Sequence, residues 1–198
     1  MEFFKVVLNL PEILSSLYAI LVTVGYIPGL IALVKSDSVK GVSSYFWYLI
    51  VATVGISFYN LLLTEASMFQ VVSVGLNLTL GIVCLLVASY RKKDYFSIPF
   101  IIVFSLLLFL LSDFTALTQT LATITIILAY VTQITTFYKT KSAEGTNRFL
   151  FLIIGLGLAS LITSMVLSHT YIHIIATEFV NFVLILICYL QANYYSRR

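Results

Sequence analysis

Tyr26-Ile27-Pro28-Gly29, followed by Lys35-Ser36-Asp37-Ser38-Val39-Lys40-Gly41-Val42-Ser43, decides the fold because the chain repeats it. The second copy reads Tyr130-Val131-Thr132-Gln133, then Lys139-Thr140-Lys141-Ser142-Ala143-Glu144-Gly145-Thr146-Asn147. An ungapped shift of 104 residues pairs Tyr26 with Tyr130, Lys35 with Lys139, Ser38 with Ser142 and Gly41 with Gly145. The same shift pairs Asn77 with Asn181, Cys84 with Cys188 and Tyr90 with Tyr194. Leu and Ile coincidences mean little in so apolar a chain. Seven identities among scarcer residues at one offset mark an internal duplication.

The 198 residues are 61% hydrophobic and 10% charged, and the mean hydropathy is +1.07. A soluble domain is about one quarter charged, so these few charges could not coat a water-facing surface. They cluster in islands, and the stretches between them approach the roughly 20 apolar residues that span a bilayer as a helix. Seven such segments are expected, at 14–34, 45–63, 68–90, 98–111, 116–138, 149–167 and 171–193. The fourth is the shortest. The opening Met1-Glu2-Phe3-Phe4-Lys5 lacks a basic lead and no small-residue cleavage site follows, so the first segment is read as a resident helix.

Charge sets the expected orientation. Basic residues follow helix 1 (Lys35, Lys40), helix 3 (Arg91, Lys92, Lys93) and helix 5 (Lys139, Lys141, Arg148), and close the chain (Arg197, Arg198). The alternate turns carry Glu65, Asp113 and His169. Only Lys5 falls on the other side. Cytoplasmic loops are enriched in Lys and Arg. The N-terminus is therefore expected outside and the C-terminus in the cytoplasm, in a multi-pass plasma-membrane protein.

A three-helix unit ends on the side opposite its start. A second copy in the same orientation needs an odd number of linking helices, and helix 4 supplies one. The expected fold is all-α and integral to the membrane, seven transmembrane helices in a 3-1-3 arrangement of two parallel triple-helix bundles. The units are 1–93 and 117–198, with 94–116 as the linker. Parallel repeats are a transporter plan, with the solute site near the midplane between them.

Three features in this frame carry chemistry. Pro28 removes a backbone donor and kinks helix 1. Asn77 and Asn181 sit mid-helix in helices 3 and 7. Their amides are costly in hydrocarbon, so they face the bundle interior, as helix-helix ties or as solute ligands. Glu178 lies three residues before Asn181, hence on the same helix face. No Lys or Arg shares its depth, so it needs a polar partner, with Ser73, Asn77 and Tyr59 as candidates, or acts as a functional carboxylate. Its equivalent in the first unit is Val74.

The paired segments resemble the PQ-loop repeats of the SWEET and cystinosin group. That pattern is a Pro-Gln pair near the end of the first helix of each unit, then a Lys-Thr-Lys-Ser-Ala-Glu-Gly turn, which residues 139–145 read letter for letter. Each unit keeps half the pair: Pro28 with Gly29, and Thr132 with Gln133. The resemblance implies a carrier in which Pro28, Gly29, Thr132 and Gln133 form the inner hinge and gate. It also implies that the mid-membrane Asn77 and Asn181 contact solute, beside a second-helix aromatic. In the outer half of helix 2 that aromatic is Phe58 or Tyr59. The corresponding stretch of helix 6 has Ile162, Thr163 and Met165, so only one wall could stack on a sugar ring. The sole Trp, Trp47, lies near the inner end of helix 2.

The expected function is alternating-access transport of a small polar solute. A SWEET-like facilitative sugar carrier leads. A proton-coupled carrier of an amino acid or other zwitterionic or charged metabolite is the alternative. A receptor of the KDEL-receptor type would need a membrane-depth Arg or Lys to capture a peptide terminus. An enzyme would need more than Glu178 and His173, five residues apart, and none is expected. Cys84 and Cys188 are too sparse for a disulfide framework or metal site. No cofactor, metal or nucleic acid is expected. The partners are the solute and the bilayer, and self-association is left open.

Overall fold

The computed structural model describes residues 10–64, 68–111 and 113–197, all of it helix and connection. Lys5, Glu65 and Arg198 lie outside the described residues. Seven helices follow one another: α1 (Leu10–Lys35), α2 (Ser44–Leu63), α3 (Met68–Lys92), α4 (Ser97–Leu110), α5 (Thr115–Thr140), α6 (Arg148–Leu167) and α7 (Ile172–Tyr195). Six are long and apolar enough to cross a membrane. Their outward faces are apolar too, with Ile20, Ile27, Ile31 and Val34 exposed along α1. This is the profile of a multi-pass membrane protein.

The exception is α4. Its 14 residues give a rod of about 21 Å, short of the roughly 30 Å hydrocarbon core. Its side chains are mostly apolar and exposed, Phe100, Phe104 and Leu108 packing inward, and it lies along only α2 and α3. Most of the other helices run past the apolar segments: α1 begins at Leu10 rather than 14, and α3 ends at Lys92 rather than 90. Backbone bonding continues into interfacial residues that hydropathy does not score.

Two ends of the bundle are defined by hydrogen bonds. At the basic end the connections 36–43 and 141–147 meet, and Arg91 caps α1. Its guanidinium donates to the carbonyls of Leu33, Val34, Ser36 and Asp37. Lys92 donates to the Val42 carbonyl. Ser43 caps α2, its hydroxyl accepting from the Phe46 N–H at 3.2 Å. Asn147, 104 residues on, caps α6 by accepting from the Phe149 N–H at 2.9 Å. At the far end, Ser15 and Ser164 hydroxyls pair at 2.9 Å, and Asn60 reaches Gln119 and Thr118.

Helix α3 packs on α1 and α2, and α7 on α5 and α6. Across the molecule α1 runs along α6, and α2 along α5. The α1/α6 seam is close because it is built on glycine: a Cβ on Gly25 would sit 2.7 Å from Ile154 Cγ1, and one on Gly157 3.1 Å from Leu21 Cβ. The α2/α5 seam is polar, with Thr53 and Thr125 hydroxyls 2.7 Å apart.

Candidate functional site

The helices enclose a central cavity of about 200 Å3, lined from every helix except α4. Such a volume holds roughly a dozen waters or one small solute. Its lining follows the duplication. Nine pairs of residues 104 apart face it: Tyr18 and Ala122, Val22 and Ile126, Tyr26 and Tyr130, Phe46 and Leu150, Trp47 and Phe151, Ile50 and Ile154, Val54 and Leu158, Val74 and Glu178, Asn77 and Asn181. The unpaired lining residues are mostly polar and lie on α2 and α5: Thr53, Ser57, Gln119 and Thr123.

The two asparagines are buried and line the cavity from opposite sides. Their amides have different partners. Asn77 Oδ1 lies 2.7 Å from the Thr23 hydroxyl, whose single proton also faces the Ala19 carbonyl at 2.9 Å. Asn181 Nδ2 donates to Glu178 Oε2 at 3.2 Å, and Asn181 Oδ1 has no partner among the described residues. The expected partners of Glu178 were Ser73, Asn77 or Tyr59. Its partner is instead its own helix neighbour, one turn on. Among the described residues, Glu178 is the only Asp, Glu, Lys, Arg or His side chain on the cavity wall. His173, a turn and a half away, is exposed and stacks on Tyr171 at 5.8 Å.

Toward the basic end the cavity closes on aromatic rings. Trp47 lies 5.0 Å from Phe46 and 6.2 Å from Tyr26 (ring centroids), and Phe46 continues to Tyr130 and Phe151 at 5.9 and 6.2 Å. Below them a space of about 10 Å3, one water at most, touches Gly29 and Gln133. Gln133 is 1% exposed. Its Nε2 donates to the Gly41 carbonyl at 2.7 Å, and its Oε1 accepts from the Ser43 N–H at 3.0 Å. The connections add three bonds of their own. Gly41 N–H donates to the Glu144 carbonyl at 3.0 Å, Gly145 N–H to Ser36 Oγ at 3.2 Å, and Thr146 Oγ1 to the Gly41 carbonyl at 3.3 Å. This end is shut.

The structure brings together some of the expected site residues and separates others. Asn77, Asn181 and Glu178 share the cavity, while Gly29 and Gln133 lie at its closed floor. Pro28 is within α1, and Thr132 Oγ1 bonds back to the Ala129 carbonyl at 2.8 Å. Phe58, Tyr59 and Thr163 are not on the cavity wall. The Phe58 ring covers Gly75, and Tyr59 packs beside Ile56, Leu108 and Ala122. Thr163 is exposed and bonds the Ala159 carbonyl at 2.8 Å. Helical rotation of about 100° per residue is the reason. Ser57 holds the inward angle, and Phe58 and Tyr59 turn away from it.

The aromatic walls are Trp47 and Phe151, not the outer-half residues. The duplication held the signal, because Trp47 and Phe151 are both aromatic at the 104-residue offset, and Tyr26 and Tyr130 are identical there.

Compared with known proteins, the chain matches no family model, no curated protein and no solved structure.

Proposed function

We propose that this protein is a carrier that moves a small polar solute across a membrane by alternating access. The observation that carries this reading is the closed-ended cavity lined by nine residue pairs 104 apart. A solute held between two like halves is released to either side when the halves rock. The structure then corresponds to the state with the basic end shut. The pattern of helix contacts supports two triple-helix units with α4 as linker, because among the other six helices it is unchanged when α1, α2 and α3 are exchanged for α5, α6 and α7, while α4 packs only on α2 and α3. In this proposal the units are 1–93 and 117–198, the N-terminus is outside, the basic end is cytoplasmic and the plasma membrane is the site. Kinship with the PQ-loop carriers belongs to the same proposal, resting on Pro28, Gln133 and residues 139–145.

Two features support a sugar as solute. The aromatic rings Trp47 and Phe151 face the cavity from both halves, and two buried carboxamides offer donors and acceptors for hydroxyls. One observation favours the second class, a charged or zwitterionic metabolite: Glu178 on the wall with no basic residue beside it.

The test is uptake by proteoliposomes containing the purified chain, with labelled sugars, amino acids and amines. Saturable uptake, lost in Asn77→Ala and in Asn181→Ala, is the expected result. If no member of the panel enters faster than into empty vesicles, and none raises the melting temperature, the carrier reading is wrong.

A further inference from the structure

We propose that Glu178 and Asn181 form the binding site for the ammonium group of a small organic amine, and that this group and a proton exchange for one another at Glu178. The proposal rests on the carrier reading above and decides between its solute classes.

The first argument is charge. Glu178 is an acid on the wall of a cavity inside a membrane bundle, and neither Lys, Arg nor His shares that wall. A lone carboxylate there needs a positive partner, either a proton on its own oxygen or a cation brought by the solute. The elements around it supply none. Tyr18 on α1 and Tyr130 on α5 share the wall with it and bring phenols, not cations. Helix α6 lines the cavity only with apolar side chains, and α3 offers Asn77.

The second argument is the direction of the hydrogen bonds. An ionised Glu178 only accepts, so its bond to Asn181 fixes that amide with Nδ2 toward the carboxylate. The consequence is visible in Asn181 Oδ1, which is buried and unpartnered. The carboxylate takes one donor, Asn181 Nδ2, and Asn181 Oδ1 takes none, so the two side chains together are short of donors. A hydroxyl supplies one donor. An ammonium supplies several and a positive charge, so it satisfies both side chains at once. The tyrosine and tryptophan rings of the wall add favourable faces for a cation.

The third argument is the duplication. Val74 occupies the equivalent position on α3, and Asn77 meets the Thr23 hydroxyl where Asn181 meets an acid. The cavity therefore has a cation-accepting side on α7 and a neutral amide side on α3. A solute carrying an ammonium at one end and a hydroxyl or carbonyl at the other matches both.

The exchange balances. A protonated Glu178 carboxyl releases its proton to water as the ammonium arrives, and the carboxylate and ammonium pair without any covalent change. Proton and amine cannot occupy the carboxylate together, so each crossing of one returns the other.

The experiment uses the purified full chain in weakly buffered detergent with a pH dye, and ethanolamine, glucosamine and glucose as probes. Glucosamine and glucose differ only in the ammonium group. Ethanolamine and glucosamine should each release close to one proton per molecule bound, and glucose none. Glu178→Gln should abolish the release and weaken binding of both amines at least tenfold. Glu178→Asp should keep the release with weaker binding, which guards against a Gln variant that fails to fold. In vesicles, an acidic interior should drive amine uptake. Glucose binding as tightly as glucosamine, in wild type and in Glu178→Gln alike, would overturn the proposal and leave the carrier reading intact. Amine binding without proton release overturns the exchange. Failure of every probe to bind or cross, together with the wider uptake panel, overturns both.

Discussion

Replacing Gln133 with Met isolates the latch at the basic end, because Met nearly matches Gln in length and flexibility but cannot hydrogen-bond in its place. Two bonds are lost, Nε2 to the Gly41 carbonyl at 2.7 Å and the Ser43 N–H to Oε1 at 3.0 Å. They are not equal. The Gly41 carbonyl keeps a weaker donor, Thr146 Oγ1 at 3.3 Å. The buried Ser43 N–H has no substitute. Orphaning it costs about 1–3 kcal/mol and the Gly41 bond adds roughly 1, so about 2–4 kcal/mol is withdrawn from the closed end. At 1.4 kcal/mol per tenfold, the closed-to-open ratio falls roughly 30- to 700-fold. The assay is amide hydrogen exchange over residues 41–43, where the Ser43 N–H bonds Gln133 directly and the Gly41 N–H bonds the Glu144 carbonyl across the same closed end. Exchange there should accelerate by that factor in Gln133→Met, while the middle of α6 stays protected. Unchanged exchange at 41–43, in a variant with the wild-type melting temperature, would refute the latch.

Three other outcomes follow from the same geometry. Thr23→Val removes the donor to Asn77 Oδ1; solute affinity should fall roughly two- to tenfold, the worth of one hydrogen bond, and Thr23→Ser should restore it in a binding titration. Gly145→Ala faces a φ of +80° and a Cβ 2.8 Å from Val39 Cγ1, while a Cβ on Gly41 would meet the Ser142 carbonyl oxygen at 2.6 Å. Either substitution should cost about 1–3 kcal/mol, read as a lower melting temperature and faster proteolysis within residues 36–43. A Thr53→Cys, Thr125→Cys pair replaces hydroxyls 2.7 Å apart; its disulfide should stop uptake and reduction should restore it, and full uptake by the oxidised protein would show that this seam does not open.

Much of the fold was legible because it depends on segment properties. Apolar length separates seven helices, and the duplication appears wherever scarce residues recur. The position of α4 in a membrane is not legible in that way, since 14 apolar residues specify a helix without specifying a span. At the site, Asn77, Asn181 and Glu178 stood out because a polar group in an apolar helix must be accounted for. The aromatic wall did not, because Trp47 and Phe151 pose no such question: an aromatic ring is as comfortable against lipid as against a cavity. Phe58, Tyr59 and Thr163 were chosen by residue type and depth, whereas facing is decided by angle. Gln133 was visible as half of a motif. Its partners, the backbone of residues 41 and 43, lie in the other copy, and no local pattern encodes that meeting.

The two copies meet each other twice, and the two meetings differ in chemistry at equivalent places. Where Thr53 on α2 bonds Thr125 on α5, the equivalent residues Gly157 on α6 and Leu21 on α1 touch through carbon alone, with a built Cβ only 3.1 Å away. Where Gln133 reaches across to the first connection, its equivalent Gly29 offers no side chain and Leu150 fills the space, 3.2 Å from a built Cβ. At these places the α1/α6 seam is closed by packing and the α2/α5 seam by hydrogen bonds; only toward its far end does the α1/α6 seam add hydroxyl bonds, Ser15 with Ser164, Ser160 to the Leu14 carbonyl and Ser164 to the Pro11 carbonyl. Water changes these two seams differently. Opening the apolar seam exposes aliphatic surface, at about 25 cal/mol for each Å2. Opening the polar seam exchanges hydroxyl and amide bonds for bonds to water, which costs little net. In the proposed carrier the middle of the α2/α5 seam, where the unpaired polar residues Thr53, Ser57, Gln119 and Thr123 line the cavity, is therefore the place that admits water at least cost.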